Sequence, residues 1–223
     1  QLELPSNQQV VKYRPFLVRE QKILMLAQEA ENKEDTYNML SDIVGGCTFN
    51  SVDIKTMPIF DFEYLFLKIR CKSVGETVEL SILCPDDEET RVPVTINLDV
   101  IDVQVEDDHN NVIGVNDSIK IIMRHPTVGD IKSVDEAETL NNIMKLLKVC
   151  IHEIHDGDTI HSMIDVTNKE LDEFVDSLST EVFEKIGEFF NTMPKLTHVV
   201  EVKNPKTEVT SEVVIQGMES FFS

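Results

Sequence analysis

Thr77-Val78-Glu79-Leu80-Ser81-Ile82-Leu83-Cys84-Pro85-Asp86-Asp87-Glu88, continuing through Glu89-Thr90-Arg91 to Val92-Pro93-Val94-Thr95-Ile96-Asn97-Leu98, is the stretch that decides the fold class. Val78, Leu80, Ile82 and Cys84 alternate with Glu79, Ser81 and Leu83. After the polar turn Pro85-Asp86-Asp87-Glu88 the alternation resumes at Val92, Val94, Ile96 and Leu98. A period of two lines one face of a strand with apolar side chains, so the stretch reads as a hairpin with a polar loop. A second alternating pair, Thr197 to Val202 and Glu208 to Ile215, surrounds Lys203-Asn204-Pro205-Lys206. The two hairpins share an outline of strand, Pro turn and strand, without a letter-by-letter repeat.

Away from the hairpins the apolar period lengthens. Residues 1–16 read as an extended arm punctuated by Pro5 and Pro15, in which Gln9 to Tyr13 can add a strand to a sheet. Beyond Pro15, Leu17, Ile23, Leu24, Leu26 and Ala27 share a helical face, with Arg19, Glu20, Lys22 and Glu29 outside it. A helix over Lys33 to Val44 turns Leu40, Ile43 and Val44 inward and stops at Gly45-Gly46. The next, capped by Asp61, runs through Tyr64, Leu65, Leu67 and Ile69 to about Ser73, with Gly75 as a left-handed stop. Strands are expected over Asp99 to Glu106 and Ser118 to Met123, with a polar loop at Asp107 to Asn111 between them. The second half reads as mainly helical. One helix is expected from about Glu136 to His155. A second is opened by the Thr167/Glu170 capping box, and a third begins at Ser179-Thr180 and carries Val182, Phe183, Ile186, Phe189 and Phe190.

The reading is therefore α+β: a helical body with two antiparallel β-hairpin elements. Its parts are the extended N-terminal arm at 1–16, N-terminal helices at 17–76, a hairpin and strand region at 77–126, C-terminal helices at 127–195, and a C-terminal hairpin with a Phe-Phe tail at 196–223. At 223 residues these make one or two compact domains.

Charge excludes some partners. Asp and Glu number 41 against 20 Lys and Arg, a formal net of -21, which repels polyanions within a Debye length. No basic stripe exists, so nucleic acid is not an expected partner, and neither is an anionic membrane. No 18-residue apolar run is present, and the opening Gln1-Leu2-Glu3-Leu4-Pro5 has neither the charge nor the apolar run of a signal peptide. The four Cys, at 47, 71, 84 and 150, form no C-x-x-C pair and read as reduced, buried thiols in a cytoplasmic setting.

Few residue patterns invite chemistry. His152-x-x-His155 with nearby His161 is the best metal candidate, since positions three apart share a helix face. A metalloprotease needs H-E-x-x-H, however, and the segment reads His-Glu-Ile-His, with no carboxylate placed as a base. The weight falls on a structural origin, and a metal-dependent enzyme using these three residues is kept only as the rival reading. Asp86-Asp87-Glu88-Glu89 lacks the spacing of a calcium loop. Cys84-Pro85 is half of a zinc knuckle without its other ligands. Phosphate-binding glycine loops and nucleophile elbows are absent. No catalytic, cofactor or metal residue is assigned, no cofactor is expected, and the chain reads as a non-enzymatic binder of proteins. Phe221-Phe222 is either core or a terminal anchor for a partner.

One set of segments is familiar together. It comprises Tyr13-Arg14-Pro15-Phe16-Leu17-Val18-Arg19-Glu20, Phe60-Asp61-Phe62-Glu63-Tyr64-Leu65-Phe66 through Gly75-Glu76, Cys84-Pro85, Phe189-Phe190-Asn191-Thr192-Met193-Pro194, and Gly217 with Phe221-Phe222. From about residue 10 to the end the chain resembles the baseplate hub and hub-assembly proteins of T-even-type tailed bacteriophages. Some of those relatives carry Cys pairs at the last hairpin. Here Lys203-Asn204-Pro205-Lys206 stands in that place, so a zinc ribbon is not carried over. The resemblance implies a late tail-assembly protein that acts in the host cytoplasm by binding hub or tape-measure proteins of a contractile tail, as a chaperone-like factor or as a permanent virion subunit. A homo-oligomer stays open.

Overall fold

The structure is a computed structural model, and it describes residues 1–29, 32–133 and 140–218. In chain order the strands are β1 (Leu2–Glu3), β2 (Val10–Val11), β3 (Thr77–Leu83), β4 (Arg91–Asn97), β5 (Asp102–Gln104), β6 (Val112–Gly114), β7 (Ile119–Met123), β8 (Ile151–Asp156), β9 (Thr159–Ser162), β10 (Lys195–Lys203) and β11 (Thr210–Gln216). The helices are α1 (Val18–Gln28), α2 (Lys33–Cys47), α3 (Ile59–Val74), α4 (Leu140–Cys150), α5 (Asn168–Asp176) and α6 (Thr180–Thr192). The chain forms two compact units, Gln1–Gln104 with Pro194–Ser223, and the inserted Val105–Met193.

The fold is mixed α+β rather than a helical body carrying two hairpins. The described strands make four sheets: β1-β2, β3-β4, β11-β10-β5 and β6-β7-β8-β9. The departure from expectation is largest at 151–162. The apolar spacing of Ile151 and Ile154 suits a helix, but α4 stops at Cys150 and the chain turns into β8 and β9, joined at Gly157 with φ 58. Asp156-Gly157 ahead of Thr159 is a hairpin signal that outweighs the weak helical period. The expected start of that helix, at Glu136, lies outside the described residues.

Unit 1 packs α3 against two layers of antiparallel strand. Leu67 and Cys71 of α3 meet Leu80, Ile82 and Cys84 of the first hairpin and Leu196, Val200, Val202 and Ile215 of the last. The alternation read from the sequence is the alternation seen: Val78 faces Ile96 and Leu80 faces Val94 across β3–β4, and Val200 faces Val213 across β10–β11. Residues 1–11 are a small hairpin of their own, with Leu2 opposite Val11. Asp61 is not a cap. It lies buried in the first turn of α3, where its carboxylate accepts the Ser6 N–H at 3.1 Å and the Ser6 hydroxyl.

Three turns of unit 1 repeat one construction that the residue letters hide. Leu4-Pro5, Cys84-Pro85 and Asn204-Pro205 each open a turn whose first carbonyl accepts the N–H four residues on, from Gln8, Glu88 and Glu208, at 2.9, 3.0 and 2.9 Å. Each of those three residues is left-handed, with φ of 59, 54 and 64. The fourth residue of each turn (Asn7, Asp87, Thr207) accepts from the backbone two residues further on. The repeat is one of backbone geometry, built on Pro at the second position and tolerated by polar residues at the fifth.

The two later turns fasten to each other. The Asn204 side-chain amide donates to both oxygens of Asp86 at 3.1 and 3.0 Å, and the Thr207 hydroxyl donates to the same carboxylate. These hydrogen bonds hold the Asp86 carboxyl below its ordinary range, the Thr207 contact being the larger cause.

Helix α1 keeps part of its expected face, with Ala27 buried and Ile23 and Leu24 half-buried, and departs from it at three positions. Leu17 and Leu26 are 52% and 58% exposed, whereas Glu20 is 2% exposed. Its carboxylate accepts from Arg14 at 2.8 Å, from Arg19 at 2.6 Å and from the Leu17 N–H at 2.7 Å. With these donors a buried carboxylate is satisfied. Arg14 does most to hold the Glu20 pKa at about 2, against the opposing push of burial. Gly45-Gly46 does not end α2, which continues to Cys47. A Cβ on Gly46 would stand 3.2 Å from the Glu20 carboxylate, so the glycine makes room for it.

Unit 2 wraps α4, α5 and α6 onto its four-stranded sheet. Ile113, Ile121, Met123, Ile151 and Ile154 from the strands meet Leu147, Val175, Val182, Ile186 and Phe189 from the helices. The Thr167/Glu170 capping box and the Ser179 cap form as the sequence predicts. Phe221-Phe222 lies outside the described residues.

The buried carboxylate and the left-handed turns can both be tested by substitution. Glu20→Ala lowers unfolding free energy by about 2–3 kcal/mol, because it strands two partly exposed arginines and an N–H, while Glu20→Gln loses less. The Glu20 carboxyl has a lowered folded pKa, so its contribution is complete above about pH 4.5 and is lost as pH falls toward 2; urea titrations at stepped pH read this. Glu88→Gly relieves a left-handed non-glycine residue and raises stability by roughly 0.5–1 kcal/mol, measured as a higher urea midpoint at unchanged m.

Candidate interaction surfaces

The three histidines singled out in the sequence do not converge. All lie on the β8–β9 hairpin, not on a helix. His155 stands opposite Ile160 and His161 opposite Ile154, so these two imidazoles project from opposite faces of the sheet. His152 and His155 instead flank Glu153, with Nε2 atoms 3.8 and 2.8 Å from its carboxylate. Among the described residues no group of three or more His, Cys, Asp or Glu is placed to hold a metal ion.

A different imidazole pair lies in unit 2. His109, ahead of β6, and His125, just after β7, stack at 5.2 Å between ring centroids, and both rings lie against Phe189 of α6. Their Nε2 atoms are 3.1 Å apart, and His109 Nδ1 is 3.0 Å from the Thr192 hydroxyl. That hydroxyl donates its one proton to the Glu188 carbonyl at 2.8 Å. It therefore accepts from His109 Nδ1–H, which leaves His109 Nε2 as an acceptor and His125 Nε2–H as the donor. Both rings are neutral. Burial lowers the pKa of each, and His109 beside it helps bring His125 down to about 4. Nothing in the local sequence signals the cluster. His109 sits in a polar loop and His125 before a proline, and only the sheet and α6 bring them together.

The same helix borders a groove of about 560 Å³. Val112, Gly114, Asp108 and Asn110 line it from the β6 side, and Lys185, Glu188, Phe189 and Thr192 from α6. Unit 1 adds an exposed apolar patch on α1, where Leu17, Val18, Met25 and Leu26 are all open to solvent.

Because both imidazoles are neutral when folded and ionise more readily when unfolded, their contribution is full above about pH 6.5 and is lost as pH falls toward 4. His125→Gln, which can keep a donor near His109, flattens the melting temperature between pH 6.5 and 4 relative to the parent. It leaves the steeper loss below pH 4 in place, and calorimetry across that range checks both.

Comparison with known proteins identifies the family. A family model described as T4 bacteriophage base plate protein matches residues 1–223, the whole chain. No curated protein and no solved structure gives a match. Acidic surface, exposed apolar helix and bordered groove thus belong to a chain that is a member of the T4 bacteriophage base plate protein family.

Proposed function

We propose that this baseplate protein acts without catalysis, as an assembly factor that holds hub or tape-measure proteins in the host cytoplasm while the baseplate hub is built. The observation that carries the reading is the formal net charge of -21 on a chain of this family. An acidic surface attracts basic partners at long range and releases them when the charges are screened, which suits temporary holding better than permanent burial. The apolar side chains exposed on α1 supply short-range contacts within that field. No described helix is long and apolar enough to cross a membrane.

A permanent place as a structural subunit of the virion hub is the second reading, favoured by the match to a base plate family over the full chain. Quantitative mass spectrometry of finished particles separates the two. The holding role predicts that the chain is far below stoichiometric amounts there. It also predicts that the chain captures hub proteins from infected cells at low salt and loses most of them at about 1 M salt, where screening confines charge attraction to direct contact. A stoichiometric band in the particle supports the subunit reading instead.

A further inference from the structure

Strand β6 is an edge of the four-stranded sheet. Its register with β7 pairs Val112 with Ile122, Ile113 with Ile121 and Gly114 with Lys120. Beyond either end, the Met123 N–H donates to the Asn111 carbonyl and the Val115 N–H to the Ile119 carbonyl. In an antiparallel ladder, alternate residues exchange hydrogen bonds with the neighbour, and those between them point away. Asn111, Ile113 and Val115 therefore turn their backbone groups toward β7, and Val112 and Gly114 turn theirs outward. The Val112 N–H is taken by the Asn110 side chain at 2.9 Å. The Val112 carbonyl and the Gly114 N–H and carbonyl have no hydrogen-bond partner among the described residues.

These outward groups lie at the groove bordered by α6. On the sheet face a Cβ on Gly114 would meet nothing within 4 Å, so no side chain covers the strand there. Val112, half-open to solvent, and the buried Phe189 line the groove together with two carboxylates, Asp108 and Glu188. The groove's lysine, Lys185, already pairs with Glu181 at 2.7 Å. An edge strand with open donors and acceptors beside a helix is the arrangement by which extended peptides add to a sheet, with backbone bonds giving affinity and alternate side chains giving selectivity. The charge of the rim selects lysine or arginine at the polar positions of the incoming strand.

We infer that the β6 edge and the facing side of α6 form a docking groove for an extended segment of a partner protein, one that alternates basic with apolar residues and adds as a fifth strand. The inference rests on the reading of the chain as a protein that holds other polypeptides, and it names the place and the kind of segment.

The test uses the full chain, isotopically labelled, titrated with a pool of capped octapeptides that alternate Lys or Arg with Val, Ile or Thr. Binding in the groove shifts the Gly114 amide resonance and slows its solvent exchange. N-methylation of alternate peptide amides, which spares the side chains, weakens binding by roughly tenfold or more, as expected when one or two backbone bonds are lost. Gly114→Pro removes an outward N–H without touching the β6–β7 ladder and abolishes binding. If that variant melts lower than the parent, the N-methylated peptides on the parent chain decide the matter. Asp108→Lys with Glu188→Lys weakens binding and reduces its salt dependence. The inference is overturned if no peptide in the pool perturbs Gly114, or if N-methylated and unmodified peptides bind alike. Capture of purified hub proteins is measured alongside. Capture that persists when the peptides fail removes the groove and leaves the assembly role standing. Peptide binding without hub capture supports the groove and removes that role.

Discussion

The Asp86 carboxylate is the fastening on which unit 1 depends. It sits at the tip of one hairpin and receives two donors, Asn204 and Thr207, from the tip of another formed more than a hundred residues later. Without that exchange the hairpins would still form, because each has its own alternation and its own turn. What the exchange fixes is their mutual placement, and with it the layer of Leu80, Ile82, Val200 and Val202 that covers α3. Two turns of the same backbone shape can meet squarely in this way because each presents its polar side chains from equivalent positions. In metal-binding knuckles, cysteines separated by two residues fill comparable places. Here Cys84 and Asp87 of one turn and Asn204 and Thr207 of the other keep the spacing, and hydrogen bonds between the turns do the joining.

Unit 2 solves a similar problem with rings. The sheet and α6 are brought together partly by a triangle of three rings, His109, His125 and Phe189, each against the other two, in which the imidazoles are neutral and hydrogen-bond to each other and to Thr192. Phe189 and Thr192 also line one side of the groove, so that side is backed by the rings.

The sequence discloses elements whose signals are local. The Thr167 and Ser179 caps need only three residues to be read. The long hairpins are legible because alternation sustained over seven residues fits a half-buried strand and little else. Where the reading departs from the structure, the cause is a partner far along the chain or a pattern too short to decide. Glu20 reads as a surface carboxylate, and its burial depends on Arg14 and on the space at Gly46. The Gly45-Gly46 pair reads as a helix end and is a clearance. At Ile151 to His155 a short apolar spacing fits two periods equally well, and the helical choice also sets His152 and His155 on the wrong kind of surface. The His109–His125 pair is invisible in the letters because nothing near either residue refers to the other.

All four cysteines are buried and free, and burial raises the pKa of each, that of Cys150 to about 12. Only the ionised sulfur attacks a disulfide or an oxidant, and these four are held in the protonated form inside packed surroundings. The fold consequently leans on none of its cysteines for a covalent link. It needs no bridge to be made on passing from a reducing interior to an oxidising medium, and its thiols are shielded in both, so that the sulfur it does present to an oxidant is a thioether, that of Met25, 58% exposed.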